Sequence, residues 1–400
     1  MKIRALTLGA ASVAGLVLAV GATASASKAP SGKPIVIGGA VALTGFFSAY
    51  DLPQNRMMSF AVADYNKRGG VLNRPFRLIY ANTNSDINRG TNAALELINK
   101  GADVMTTSPD YDFGRAAAIT AQQKGKLVLA GAGSAKFGVQ GIGPLAFNVG
   151  IATNSEGAVM AEFAYLQQRY RSAYVLLDDT IEYNKQTCKH FKERWAQLAG
   201  ASSLKGEDVF KNADPSIASQ ITRLRSASSE PDFLVICSYN PGAASAVRQV
   251  RAAGLDLPIV MSASMDGAYW LEATPDLSNF YYVAYASLFG DDPNPKVNEL
   301  VRRFRNAEGK APSQSTCFIG YSQIQVIAEG IRRAKSTDSA KVARALETLR
   351  NFPTVLGPLT YTKNLHFTVK RPLRVMKIVN GKQSFVKLWS PTRVPPVSFN

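Results

Sequence analysis

The residues of this chain that could do chemistry stand just behind apolar runs. Thr44, Ser48 and Tyr50 follow the run at 35–41, Gly131 to Ser134 follow 127–130, Tyr239 follows 233–237, and Asp266 follows 259–262. Ser108 to Phe113 and Tyr183 make two further polar and aromatic groups. Hydroxyls, carboxylates and ring faces in such positions serve reversible recognition of a small molecule.

Covalent chemistry would need a nucleophile with a positioned base, and the chain has only two histidines. His190 lies in the charged stretch Lys-His-Phe-Lys-Glu-Arg and reads as an ordinary surface side chain. His366 lies in the turn-like Asn-Leu-His-Phe and reads the same way. Gly-x-Ser-x-Gly, Walker-type and His-Glu-x-x-His motifs are absent from the sequence. Gly131-Ala-Gly-Ser follows a strand but lacks the third glycine and downstream acid of a dinucleotide site. The expectation is a binding protein rather than an enzyme, with no cofactor and no metal. Cys188, Cys237 and Cys317 have no metal-site spacing. One disulfide plus a free thiol, or three buried thiols, both fit.

The elements that must position these groups read as strand and helix in alternation. Strand-like runs occur at 35–41, 76–80, 127–130, 174–177, 233–237, 259–262 and 281–286, with a long helical segment at 54–68. At 296–307, Val297, Leu300, Val301 and Phe304 recur at helical spacing while Arg302, Arg303 and Arg305 fall elsewhere. At 215–225, Asp214 is placed to cap, Pro215 suits the first helical position, and Ile217, Ile221 and Leu224 line one side. The segment 242–253 carries Ala243, Val247 and Val250 on one face and stops at Gly254. Two βα series, one before about 148 and one from about 172 to 265, predict an α/β chain with parallel sheets. Ligands of such sheets settle beyond the carboxyl ends of the strands. Residues 370–389 alternate around Asn380-Gly381 and predict a β-hairpin.

The first residues carry Lys2 and Arg4, an apolar stretch from Ala5 to Val20, and small residues at 22–26. This predicts a cleaved signal peptide over 1–26 and a soluble protein in a bacterial periplasm. The formal charge of +17 falls to +15 once Lys2 and Arg4 leave. Its basic residues are scattered on outer helix faces, which reads as a solvated surface rather than a nucleic-acid footprint. The remaining length of about 370 residues favours two cores.

Several segments in order carry a resemblance: Ile35-Val-Ile-Gly with Leu43-Thr-Gly, and Ala63-Asp-Tyr-Asn-Lys-Arg-Gly-Gly-Val-Leu-Asn-Arg-Pro. Phe147-Asn-Val with Glu156-Gly157, Leu177-Asp-Asp-Thr leading to Tyr183, Arg248-Gln-Val-Arg-Ala-Ala-Gly-Leu and Val355-Leu-Gly-Pro-Leu-Thr-Tyr follow. The chain resembles the periplasmic solute-binding proteins that take leucine, isoleucine and valine and feed ATP-driven importers. The resemblance spans nearly all of 34–389 and implies two doubly wound parallel-sheet lobes joined by three crossovers. Crossovers are expected near 147–153, 283–287 and 357–362. Residues 33–148 plus 286–360 would form lobe one, and 149–285 plus 361–400 lobe two.

The resemblance also implies roles for residues. The segment 107–114 usually offers small hydroxyl residues and N–H groups to a solute carboxylate, but here Asp110 and Tyr111 stand in place of the usual serine pair. Ser134 matches a hydroxyl residue of the next loop, or caps the segment behind it. Tyr183 matches an aromatic that closes over the solute, or is a surface tyrosine. Tyr239 matches another contact aromatic, or caps the core. Asp266 is the acid nearest the place where a solute ammonium is met, or a helix cap. Together with Ser48 and Tyr50, these residues predict an amino-acid-like or aromatic acid solute. The implied partner is a membrane permease, with the chain acting as a monomer. A sensor that reports to a membrane receptor is the alternative, and a periplasmic enzyme a more remote one.

Overall fold

The continuous apolar run Ile35–Val41 becomes β1, buried at all seven positions, because helices cover both faces of the sheet it centres. A computed structural model describes residues 29–400 other than 228, 398 and 400. The expected signal peptide lies outside the described residues.

The chain continues through α1 (Ser48–Lys67), β2 (Phe76–Asn82), α2 (Gly90–Asn99), β3 (Val104–Thr107), α3 (Tyr111–Gln123), β4 (Leu127–Ala130) and β5 (Ala146–Asn148). The five strands form one parallel sheet in the order β2-β1-β3-β4-β5. Alternate residues of β1 face opposite ways. Ile35 and Ile37 join the cluster with Met57 and Met58 of α1, while Ala40 joins Leu97 of α2 and Ala117 of α3.

A second sandwich follows: α4 (Thr153–Glu162), β6 (Ala173–Asp178), α5 (Glu182–Ala199), β7 (Leu204–Phe210), α6 (Ala218–Arg225), β8 (Phe233–Cys237), α7 (Gly242–Ala252), β9 (Ile259–Met261) and β10 (Phe280–Ala284). The chain returns to the first layer with α8 (Pro295–Glu308), α9 (Phe318–Ala334) and α10 (Ser339–Leu346), then forms the short pair β11 (Phe352–Thr354) and β12 (Gly357–Leu359). It ends in β13 (Leu373–Val379) and β14 (Lys382–Trp389) on the second sheet, ordered β14-β13-β10-β9-β8-β6-β7. Asn380 and Gly381 both take positive φ, the two-residue turn expected of the terminal hairpin.

Helix α4 is buried along its whole length. Gly157 makes that possible, since a Cβ there would lie 2.4 Å from the Phe191 backbone nitrogen of α5. Cys188 of α5 is bonded to Cys237 of β8, and Cys317 is a buried free thiol.

Three passages join the layers, and two buried arginines hold them together. Arg371 donates to the carbonyls of Val149 at 3.0 Å, Gly150 at 3.1 Å and Leu356 at 2.8 Å. Burial pushes its guanidinium down to about 10. Arg374 grips both oxygens of Asp292 at 2.8 and 2.9 Å and donates to the Tyr285 carbonyl.

Several local expectations are corrected. His190 is buried, with Nε2 3.0 Å from the Asn154 amide, and burial pushes it down to about 4. His366 is also buried, stacked at 3.8 Å on Phe147, with Nδ1 donating to the Ala146 carbonyl. Charged or turn-like neighbours in sequence do not show which element packs on a side chain, so the surface expectation fails for both. Helix α6 begins three residues later than expected, because Asp214 accepts the Lys211 N–H instead of capping it. Helix α1 begins at Ser48, ahead of the expected 54, with Pro53 inside it. Pro53 has no N–H to give the Ala49 carbonyl, and the Ser313 hydroxyl donates there at 2.7 Å.

Candidate ligand-binding cleft

The carboxyl ends of the two sheets face each other across a small cavity. Phe47, Tyr50, Pro109 and Asp110 line it from the first layer, and Ile181, Tyr183, Tyr239, Ala263 and Ser264 from the second. Tyr285 and Thr316 complete the wall. The space between these walls, including where it opens to solvent, is about 420 Å³.

The first-layer wall begins where β1 ends. Phe47 stacks between Tyr50 at 4.7 Å and Phe113 at 4.2 Å, with interplanar angles of 21° and 19°. Asp110 caps α3, its Oδ1 accepting the N–H groups of Asp112 at 2.8 Å and Phe113 at 3.2 Å. Burial, with the Asp112 charge adding to it, pushes the Asp110 carboxyl up to about 7. Behind it Asp51, fully buried, accepts the Ala42 N–H at 2.5 Å and the Ser108 hydroxyl at 2.6 Å. Burial pushes Asp51 up to about 7 as well.

The second-layer wall turns on Glu156 in the first turn of α4. Its Oε2 accepts the Tyr183 hydroxyl at 2.6 Å and the Ala263 N–H at 3.1 Å, and Oε1 accepts the Tyr285 hydroxyl at 3.3 Å. Burial pushes Glu156 up to about 7. These bonds hold two of the cavity's tyrosine rings in place.

Contacts between the layers also involve sequence neighbours of the lining residues. The Asp112 carboxylate accepts the Glu182 N–H at the start of α5 at 2.7 Å, and Lys136 pairs with the Glu182 carboxylate at 2.8 Å. A carboxylate is well placed at a helix N-terminus, where N–H groups and the helix dipole meet it. Phe46 lies 6.3 Å from Tyr239 across the gap.

Of the residues expected at the site, Tyr50, Asp110, Tyr183 and Tyr239 share this cavity. The other four are outside its wall. The Ser48 hydroxyl donates to the Gly45 carbonyl, and Tyr111 opens α3 half-buried against the α2–α3 cluster. Ser134 Oγ accepts the Lys136 N–H, the capping role named as its alternative. Asp266 Oδ2 accepts the N–H and hydroxyl of Ser315, so it joins the layers rather than capping a helix. Burial pushes Asp266 up to about 8. Sequence reasoning missed Phe47, Glu156 and Tyr285. The Phe46-Phe47 pair behind the Thr-Gly turn was a usable signal for the first. Glu156 stands in a segment that carries the resemblance, but nothing local announces its role or that of Tyr285, whose partners come from distant segments.

A sequence model of the family described as periplasmic binding protein matches residues 34–383. The leucine-, isoleucine-, valine-, threonine- and alanine-binding protein of Pseudomonas aeruginosa is 24% identical over 359 residues, 88% of this chain and 93% of that one. A leucine binding protein, LivK, from Thermotoga maritima superposes with a TM-score of 0.78 at 22% identity, covering 89% of this chain and 99% of the other. A solute binding protein of an ABC transporter from R. palustris, in complex with benzoate, superposes at 0.74 with 16% identity, covering 91% and 98%. With two α/β layers, three connecting passages and a cavity where the strand ends meet, this chain belongs to the periplasmic binding protein family.

Proposed function

We propose that this chain is the exported solute-binding component of an ABC importer, working as a monomer in the periplasm. Residues 33–148 with 286–360 and residues 149–285 with 361–400 are the two moving lobes. They close on a small solute and present the closed form to a membrane permease. The observation that carries this reading is a cavity walled from both layers, with Asp112 and Lys136 bridging to Glu182, which stands beside lining residues in sequence. A solute there touches both lobes only in the closed form, so binding shifts the population toward closure.

The ring faces of Phe47, Tyr50 and Tyr239 suit a flat or apolar body. Relatives that bind aliphatic amino acids or benzoate support a solute of amino-acid or aromatic-compound size.

The test is thermal melting of mature protein that has been unfolded and refolded to strip any retained solute. The panel holds amino acids, aromatic acids, amides, dicarboxylates and amines. A solute at 100 times its Kd stabilises by about 2.7 kcal/mol, a shift of several degrees. A selective shift supports the trap, and a flat response across the panel overturns it.

A further inference from the structure

The hydrogen bonds at the first-layer end of the cavity occupy the groups a solute carboxylate would use. The N–H groups of Asp112 and Phe113, at a helix end where an anion would sit, are both held by the Asp110 carboxylate. The Ser108 hydroxyl donates to Asp51. An anion is thus already built into the wall, supplied by the chain itself.

The rest of the wall has the same sign. The hydroxyls of Tyr183 and Tyr285 are directed to the buried Glu156 carboxylate. Among the described residues no lysine or arginine lines the cavity, and Lys136 is paired with Glu182. Aromatic faces carry negative potential, and a carboxylate beside them without a cation is half of a charge-assisted pair.

Resting on the solute-capture reading, we propose that the group this cleft receives at Asp110 is positively charged. The solute class is a small organic ammonium with an aromatic or aliphatic body and no carboxylate. Its ammonium meets Asp110 and its body lies against Phe47, Tyr50 and Tyr239. The basic residues behind the mature chain's expected formal charge of +15 lie outside this wall, and salt at physiological strength screens exposed charges beyond about 8 Å. The local acids therefore decide selectivity inside the cavity.

Three matched probes test this on the mature full chain by isothermal titration: phenethylamine, 3-phenylpropanoate and the zwitterion phenylalanine. Asp110→Asn is titrated alongside, because asparagine keeps the helix cap while removing the charge. The expected result is binding of phenethylamine by the wild type, weakened at least tenfold in Asp110→Asn, with no binding of 3-phenylpropanoate. Binding of 3-phenylpropanoate or phenylalanine without phenethylamine overturns the cationic assignment and leaves solute capture standing. Equal phenethylamine affinity in both proteins also overturns it. If none of the three binds, the charge of whatever solute the wider melting panel identifies decides: a cation supports the assignment, and an anion or zwitterion overturns it. A flat panel overturns both readings.

Discussion

Two regions of this molecule bury charge, and they treat it in opposite ways. At the joints between the layers, Arg371 and Arg374 are buried but answered: Arg371 by backbone carbonyls and Arg374 by Asp292. Around the cleft, Asp51, Asp110, Glu156 and Asp266 are buried with hydrogen bonds but no cationic partner among the described residues. The Arg374–Asp292 ion pair and the carbonyl contacts of Arg371, whose Nε has no hydrogen-bond partner among the described residues, fix how the three passages meet. Burial pushes these four acids up to about 7 or 8, and of them only Asp110 lines the cavity, where a solute can supply the missing charge. A fold tolerates such groups where function uses them.

The largest break in that comparison should come from the joints. Arg374→Met leaves Asp292 buried and unpaired, and should lower unfolding free energy by about 3–5 kcal/mol. Urea denaturation measures it, and a loss below about 1 kcal/mol would mean the pair is not holding the passages. Next in size, Tyr183→Ala and Tyr239→Ala should weaken solute binding by roughly 1–4 kcal/mol with the fold retained. Titration of both against the solute that stabilises the wild type, with circular dichroism as the fold control, checks this. Unchanged affinity in both removes them from the site.

A subtler effect sharpens the contrast through pH. Burial raises Asp266 from its ordinary 3.8 to about 8, so the native state holds a proton that the unfolded chain releases above about pH 4. That contribution is fully present below the unfolded value and is lost as pH rises toward 8. Asp266→Asn, which mimics the protonated form, should therefore gain on the wild type in melting temperature as pH rises from 4 to 8. The difference between the two melting curves is the readout. His190, pushed down to about 4 from its ordinary 6.5, contributes in the opposite sense in both proteins. A pH-independent difference would exclude Asp266 as a native-state proton store. The smallest effect belongs to the Lys136–Glu182 pair: Lys136→Met should weaken solute binding by no more than about 1 kcal/mol. Its salt dependence should vanish with it when titrations at low and high ionic strength are compared.

Much of the fold was written in local pattern. Continuous apolar runs gave β1, β4, β6 and β8, helical periodicity gave α7 and α8, and Asn380-Gly381 gave the terminal hairpin. Strands β3 and β7 were not legible. The first is four residues long and ends in two threonines, and the second is an edge strand with exposed positions, so neither shows a continuous apolar run. The free thiol and the disulfide could not be separated either, because Cys188 and Cys237 meet only when α5 packs against β8.

The site divides along the same line. Tyr50, Asp110, Tyr183 and Tyr239 stand just beyond elements that a parallel sheet aims at its ligand, and their chemistry is visible in their types alone. Whether each faces the cavity was decided elsewhere. Ser134 caps, Asp266 turns to Ser315, and Glu156 becomes the anchor of two tyrosines drawn from positions 183 and 285. The sequence by itself determined the repeated strand and helix units and the supply of polar and aromatic groups at their ends, since both follow from short-range periodicity. Only the tertiary structure decided which carboxylates went unpaired and which histidines were buried, because burial and partnership depend on segments far apart in the chain.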